Sequence, residues 1–264
     1  MTSPAAQAPT TFAPGTFSPA PKQAPIQRIL ASQSRIEALL FLRHGEQLLL
    51  SFFIPVAMLF AMHWLPLLAE EERMALGFPV MLAMAAMSSG FTGQAISLAF
   101  DRRYGALERT GASGVPAWAI VFGKEIGVVV VSAIQVLVLS TVAWLLGWQP
   151  ANFGAFILGV LVFFCGVAAF ASLGLLMGGT LSSEIVLGLA NLLWFLLIGC
   201  ASWVVFGLSG DPHFVLLCIP SVALAQGLVT AFAGSFPLIE IAILLVWLGV
   251  CSFAAFRFFK FSAA

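Results

Sequence analysis

The sequence predicts an all-α membrane protein. It should hold six transmembrane helices, an amphipathic interfacial helix ahead of the first, a charged cytoplasmic helix after the second, and re-entrant half-helices before the last. Composition is the first reason. Hydrophobic residues fill 61% of the 264 positions and charged residues 8%, with a mean hydropathy of +1.06. A soluble domain carries about 45–50% apolar and about 25% charged residues, so no soluble fold could hide this much apolar surface. The second reason is that the charges sort by loop. Of 11 Lys+Arg, only Arg73 falls in a connection that lies outside if the N-terminus lies inside. Lys22, Arg28, Arg35, Arg43, Arg102, Arg103, Arg109, Lys124, Arg257 and Lys260 fall on the other side. This is the bias that orients multi-pass proteins, and it places both termini in the cytoplasm.

The elements follow in order. Residues 1–25 carry Pro4, Pro9, Pro14, Pro19, Pro21 and Pro25 on an Ala/Thr/Ser background, a composition that cannot form a core and reads as a disordered tail. No basic start followed by a continuous apolar run is present, so it is not read as a signal peptide. Over residues 26–46, Ile26, Ile29, Leu30, Ile36, Leu39 and Leu40 recur at helical spacing, with Arg28, Arg35, Glu37 and Arg43 between them. That pattern suits a helix lying in the cytoplasmic interface, its basic residues near anionic headgroups. A plain extension of the first span is the other reading. Residues 47–264 form the six-span domain.

A helix crossing about 30 Å of hydrocarbon needs about 20 apolar residues. The windows Gln47–Leu67, Pro79–Ala99, Ile126–Leu146, Ala155–Met177, Ile185–Gly207 and Pro237–Arg257 qualify. The second is the least apolar, with Ser88, Ser89, Gly90, Thr92 and Gly93 in its middle. Small residues let helix backbones approach closely in lipid, so this span should be buried among its neighbours. The run Phe214–Val229 is short for a span, and Pro220 interrupts its helical hydrogen bonding. Two half-helices dipping back from the outer face fit it, their freed backbone groups covered by protein or facing a wet cavity. A seventh full span is the competing reading, but it would put Arg257 and Lys260 outside.

The inner loop between the second and third spans holds the densest charge. It runs Phe100-Asp-Arg-Arg-Tyr-Gly-Ala-Leu-Glu-Arg-Thr110 and exits through Gly111, Gly114 and Pro116 toward Gly123-Lys124. Asp101 to Thr110 is expected to be one short helix, with Tyr104 and Leu107 sharing a face. Asp101, Arg102, Arg103, Glu108 and Arg109 would make polar contacts to a water-soluble partner, and Tyr104 and Leu107 would anchor it. On pattern alone, a plain orienting loop remains the other reading.

The run Arg103-Tyr104-Gly105-Ala106-Leu107-Glu108-Arg109, with Pro116 and the Gly123-Lys124 pair, resembles the cytoplasmic signature of type-2 ABC transporter permeases. Within them it looks like the drug-efflux permeases of actinobacterial antibiotic systems. It departs from the pattern at Ala106, where Thr is usual, and in the longer glycine-containing stretch before Pro116. The resemblance extends over most of the chain: entry helix, six spans, charged loop and broken apolar segment. It implies the membrane subunit of an ABC exporter, working as a pair with a second copy or a homologous permease and bound to two ATP-binding subunits. It implies that the segment containing Asp101, Arg102, Arg103, Tyr104, Gly105, Leu107, Glu108 and Arg109 is the coupling helix to those subunits. ATP and Mg would be bound by the partner and no cofactor by this chain. The phosphate loop Gly-x4-Gly-Lys-Ser/Thr is missing here, since Gly123-Lys124 is followed by Glu125 and has no upstream Gly.

Other residues weigh less. Glu240 lies inside the last window, where a buried acid costs about 2–3 kcal/mol at mid-span. It stands three residues after Pro237, so a boundary role and a place with Pro220 on a substrate path or gate are both open. His44, His63 and His213 are separated by topology and cannot form one metal site. Cys165, Cys200, Cys218 and Cys251 are far apart in apolar sequence, so neither a metal nor a disulfide framework is expected. Trp64, Trp118, Trp144, Trp148 and Trp203 fall near span ends, as aromatic belts do. Zero net charge suggests no nucleic-acid partner. The expected function is ATP-driven export of an amphipathic or lipid-like cargo, such as a drug or antibiotic, across the plasma membrane. An ion-coupled secondary transporter would need mid-bilayer acids, of which only Glu240 is a candidate. An intramembrane lipid-modifying enzyme would need clustered His, Asp or Ser groups at one depth, and none is evident.

Overall fold

The computed structural model describes residues 24–43, 45, 49–65, 70–112, 115, 117–208, 210 and 212–258. Among them every regular element is helical. The tail expected over 1–25 lies almost wholly outside the described residues, as do Pro116, Asp211 and Lys260. Five helices are long and apolar enough to cross a membrane: Glu72–Arg103, Trp118–Leu145, Phe153–Thr180, Ser183–Gly207 and Leu238–Phe258. The remaining expected window, Gln47–Leu67, is described as a π-helical turn, Leu49–Phe53, followed by a helix, Ile54–Trp64. Its apolar stretch Ser51–Trp64 is shorter than those five, and residues 46–48 and 66–69 on either side are outside the described set.

In chain order the helices are α1 (Ile26–Arg43), α2 (Ile54–Trp64), α3 (Glu70–Met87), α4 (Gly93–Arg103), α5 (Ala106–Ala112), α6 (Ala117–Leu145), α7 (Phe153–Thr180), α8 (Ser183–Gly207), α9 (Phe214–Leu217), α10 (Pro220–Phe232) and α11 (Leu238–Phe258). A second π turn, Ser88–Thr92, joins α3 to α4, so the second window is one long rod. It begins earlier than the hydropathy window, with Pro79 inside the helix rather than at its start. It also ends later, at Arg103. Hydropathy registers only the apolar middle, whereas backbone hydrogen bonding continues into charged turns at both ends.

α7 is the central post. It packs against α3, α4, α6, α10 and α11. Its contact with the Ser88–Thr92 turn is a backbone contact, because glycine stands on both sides. A Cβ on Gly174 would lie 2.5 Å from the Phe91 carbonyl oxygen, and one on Gly90 would lie 3.0 Å from that of Val167. The small, polar middle of the second window is thus buried, as its composition required: Ser89, Gly90 and Phe91 are all enclosed.

A polar bridge crosses the bundle at this level. Ser89 Oγ donates to Ala85 O (3.0 Å) and lies 3.2 Å from Gln135 Oε1 and 3.3 Å from Ser132 Oγ. Gln135 Nε2 then donates to the Ser51 carbonyl at 2.6 Å. Pro55, four residues on from Ser51, has no N–H to give that carbonyl. Gln135 supplies the missing donor, and all four side chains are buried.

The broken segment begins with a single turn, α9, and continues as α10, with Pro220 in its first turn. There the ring's missing N–H costs nothing. α10 is 13 residues long, about 20 Å, and is buried along most of its length between α3, α7, α8 and α11. Its last residue, Phe232, closes an aromatic cluster. Ring centroids lie 4.9 Å away for Trp148, 5.4 Å for Phe78 and 6.5 Å for Phe156. Gly159 leaves the space that the Phe232 ring occupies. Trp148 therefore belongs to the core, at 4% exposure, and not to an interfacial belt. Its place two residues after the end of the α6 helical run hid this, because the turn folds it back inward. Truncating Phe232 to Ala should remove about 3–5 kcal/mol of stability, read as a lowered thermal unfolding midpoint in detergent. The same change at Phe153, 78% exposed, should leave the midpoint nearly unmoved.

Candidate functional site

The charged loop is not one helix. The rod formed by α3 and α4 ends at Arg103, the chain turns at Tyr104-Gly105, and a separate seven-residue helix, α5, begins at Ala106. Gly105 has φ +67°, a left-handed conformation that other residues adopt only with strain. Asp101, Arg102 and Arg103 therefore belong to the end of the second span. The break also splits the pair expected to share a face. Tyr104 is 68% exposed, whereas Leu107 is 3% exposed and packs with Leu98, Ile120 and Leu175. Leu107 holds α5 onto this chain and offers nothing to a partner.

Three of the expected polar contacts are likewise spent within the chain. Arg102 is buried at 4% exposure. Its Nη1 donates to the carbonyls of Gly178 and Leu181, both at 2.9 Å, at the C-terminal end of α7. Helix C-termini leave carbonyls without backbone donors, and a guanidinium satisfies them well. Arg103 pairs with Glu184 in the first turn of α8 at 2.6 Å, on the surface. Asp101 reaches the Lys124 Nζ at 2.7 Å, and Glu37 from α1 reaches the same nitrogen at 2.9 Å.

Lys124 is the centre of this joint. Its side chain is 1% exposed, that of Glu37 13% and that of Asp101 35%. One buried ammonium thus ties α1, the end of α4 and the start of α6 together. Local sequence explains how α1 gets so close. Gly123 and Gly127 flank Lys124 four residues apart on one face of α6. A Cβ on Gly127 would lie 2.7 Å from Glu37 Cβ, and one on Gly123 would run into the Gln33 side chain. α1 lays Ser34, Ala38 and Phe41 against α6 and leaves Ile26, Ile36, Leu39 and Leu40 exposed.

Tyr104, Glu108 and Arg109 remain outward. All three are exposed, and the Arg109 Nη1 donates to the Tyr104 carbonyl at 3.3 Å across the Gly105 turn. The result is a compact exposed knuckle on a rigid base.

Glu240 and Pro220 are not part of this site. Glu240 lies in the first turn of α11, where the helix dipole favours a carboxylate, and its Cβ faces Gly227 of α10. Pro220 is buried at the start of α10. Among the described residues, no group of three or more His, Cys, Asp or Glu is placed to hold a metal ion, and the four cysteines are free.

Residues 60–259, well over half of the chain, match the family model described as ABC-2 family transporter protein. The chain belongs to the ABC-2 transporter family. A comparison with curated proteins found no match. The chain is thus a transport membrane subunit of the ABC-2 type, and its charged knuckle sits at the end of the permease where α1, α4, α6 and α8 meet. Sequence reasoning found the knuckle but missed Glu37 and the central role of Lys124. The signal was present in the Gly123–Gly127 spacing, which marks a face where another helix comes to backbone distance. It also allowed Glu184 only Arg43 or Arg102 as cross-helix partners. The permease pairs it with Arg103.

Proposed function

We propose that this ABC-2 permease is the membrane half of an ATP-driven exporter and that the knuckle Tyr104–Arg109 is its docking point for an ATP-binding subunit. The observation that supports this most is the division of labour along the loop. Leu107, Arg102 and Asp101 are committed inward, and Tyr104, Glu108 and Arg109 are committed outward. A segment that only set membrane orientation would need no buried ion pair beneath it. An exposed aromatic ring beside charged groups is the make-up of a reversible interface anchor. Family membership implies an ABC ATP-binding partner. In this proposal two such subunits, carrying ATP and Mg, serve a pair of permeases, either two copies of this chain or this chain and a homologue.

The arrangement in the plasma membrane follows the charge bias. The Ser51–Trp64 helix completes six spans, both termini are cytoplasmic, and α1 lies in the inner interface with Ile36, Leu39 and Leu40 in lipid. α9 and α10 are a re-entrant pair entering from the outer face. The cargo is amphipathic or lipid-like, as in the drug-efflux subgroup. The test is a variant with Tyr104→Ala, Glu108→Arg and Arg109→Glu, reconstituted with the ATP-binding subunit encoded beside it. ATP-driven transport should fall at least about tenfold, the loss expected from an anchor contributing about 1.4 kcal/mol or more. Membrane insertion and the unfolding midpoint should be unchanged. Full transport by this variant would disprove the docking role.

A further inference from the structure

A groove of about 680 Å³ opens beside the Lys124 joint, between α1, α4, α6 and the first turns of α8. Its chemistry is one-sided. The carboxylates Glu37 and Asp101 both line it, and among the described residues no Lys or Arg does. Those two acids share the single ammonium of Lys124, so one negative charge is left over at this end. Beside Asp101 the Phe100 and Tyr104 rings stack with centroids 5.9 Å apart, and both rings line the same groove. Stacked aromatic faces next to an unbalanced carboxylate attract an organic cation.

Deeper in, Thr92 and Gln94 also line the groove. Gln94 is 7% exposed, and its Oε1 has no hydrogen-bond partner; neither has Thr92 Oγ1. Buried acceptors are normally satisfied, so two on one wall point to a donor that arrives from elsewhere. Gln94 stands seven residues before Asp101 on α4, a rise of about 10 Å. Between and opposite these levels the wall is apolar, from Ile96, Val128 and Val131.

We propose that this groove is a binding site for a cationic amphiphile. Its ammonium sits between Asp101 and the Phe100–Tyr104 rings, and a second hydrogen-bond donor about 10 Å along the molecule reaches Gln94 and Thr92. Anionic and neutral amphiphiles of the same length are discriminated against at the mouth. The proposal deepens the exporter reading by naming the class of its cargo. It also places that cargo on the same rod, α4, whose end carries the knuckle.

The test uses the full-length permease alone in phosphatidylcholine nanodiscs, without ATP or the ATP-binding subunit. Three diazirine-bearing probes of equal chain length are compared: a primary amine, its N-acetyl amide and the matching carboxylate. Photolabelled peptides are mapped by mass spectrometry. The amine should label peptides 88–104 and 127–131 about tenfold more than the amide, and the carboxylate should label them least. Ser97→Trp, which fills the groove, should abolish that labelling. Thr92→Val, a change of similar shape at an unpartnered hydroxyl, should weaken it with no loss of folding. Asp101→Asn should bring the amine down to the level of the amide. Equal labelling by all three probes, or labelling indifferent to Ser97→Trp in a protein that still folds, would overturn the proposal. If the amine labels the groove but no ATP-driven movement of it is found, the site stands and the exporter reading fails. If transport of another cargo is found without labelling, the site fails and the exporter reading stands.

Discussion

Replacing Lys124 by Met should be the most damaging single change at the charged end. It would leave Glu37 and Asp101 facing each other with no cation between them. Removing one partner of a buried ion pair costs about 3–5 kcal/mol, because the remaining charge is stranded. Most of the loss should come from Glu37, whose side chain is 13% exposed, since Asp101 at 35% can draw water. The thermal midpoint of the purified permease should fall sharply, and the yield in the membrane with it. Adding Glu37→Gln to Lys124→Met should restore much of the midpoint, since a neutral pair of similar volume no longer buries an uncompensated charge. If the single change leaves the midpoint where it was, the joint is ornamental and α1 is held by packing alone.

The second large effect belongs to Gly174. A Cβ there would sit 2.5 Å from the Phe91 carbonyl oxygen, 3.0 Å from that of Gly90 and 3.2 Å from the Ala95 nitrogen. These are backbone atoms and cannot swing aside. Gly174→Ala should cost about 1–3 kcal/mol as an overpacking change, and Gly174→Leu should block assembly of the second window on α7 altogether. Gly188 on α8 is the control, because a Cβ there meets nothing within 4 Å. Gly188→Ala should be neutral or slightly stabilising, since Ala outranks Gly in a helix. Helix pairs in lipid gain most of their affinity from close approach, so the contrast between the two positions should be wide. Protease resistance of the two variants in membranes would measure it.

How far the sequence could be read depends on the range of the interaction involved. The apolar windows were visible because a span's length is set by the bilayer, an external ruler. The burial of Ser88–Gly93 was visible because small residues have only one good use at that depth. The break at Pro220 was visible because the ring removes a donor wherever it stands. The Tyr104-Gly105 turn was not, since the residues on both sides are good helix formers and one glycine inside a helix is tolerated. The destinations of Arg102 and Lys124 were not either. Gly178 lies 76 positions from Arg102, and Glu37 lies 87 positions from Lys124. Nothing local distinguishes an arginine that caps a distant helix from one that waits for a partner.

The Gln135 bridge has a mechanical consequence for the helix that begins at Ser51. Its one polar tie, the 2.6 Å bond to the carbonyl that Pro55 leaves unclaimed, works as a pin in an otherwise oily bearing. Translation along the neighbouring rods would strand that oxygen in hydrocarbon, whereas tilting about the pin keeps it satisfied. Any rearrangement of this helix during a working cycle should therefore be a rocking motion with its fulcrum at Ser51.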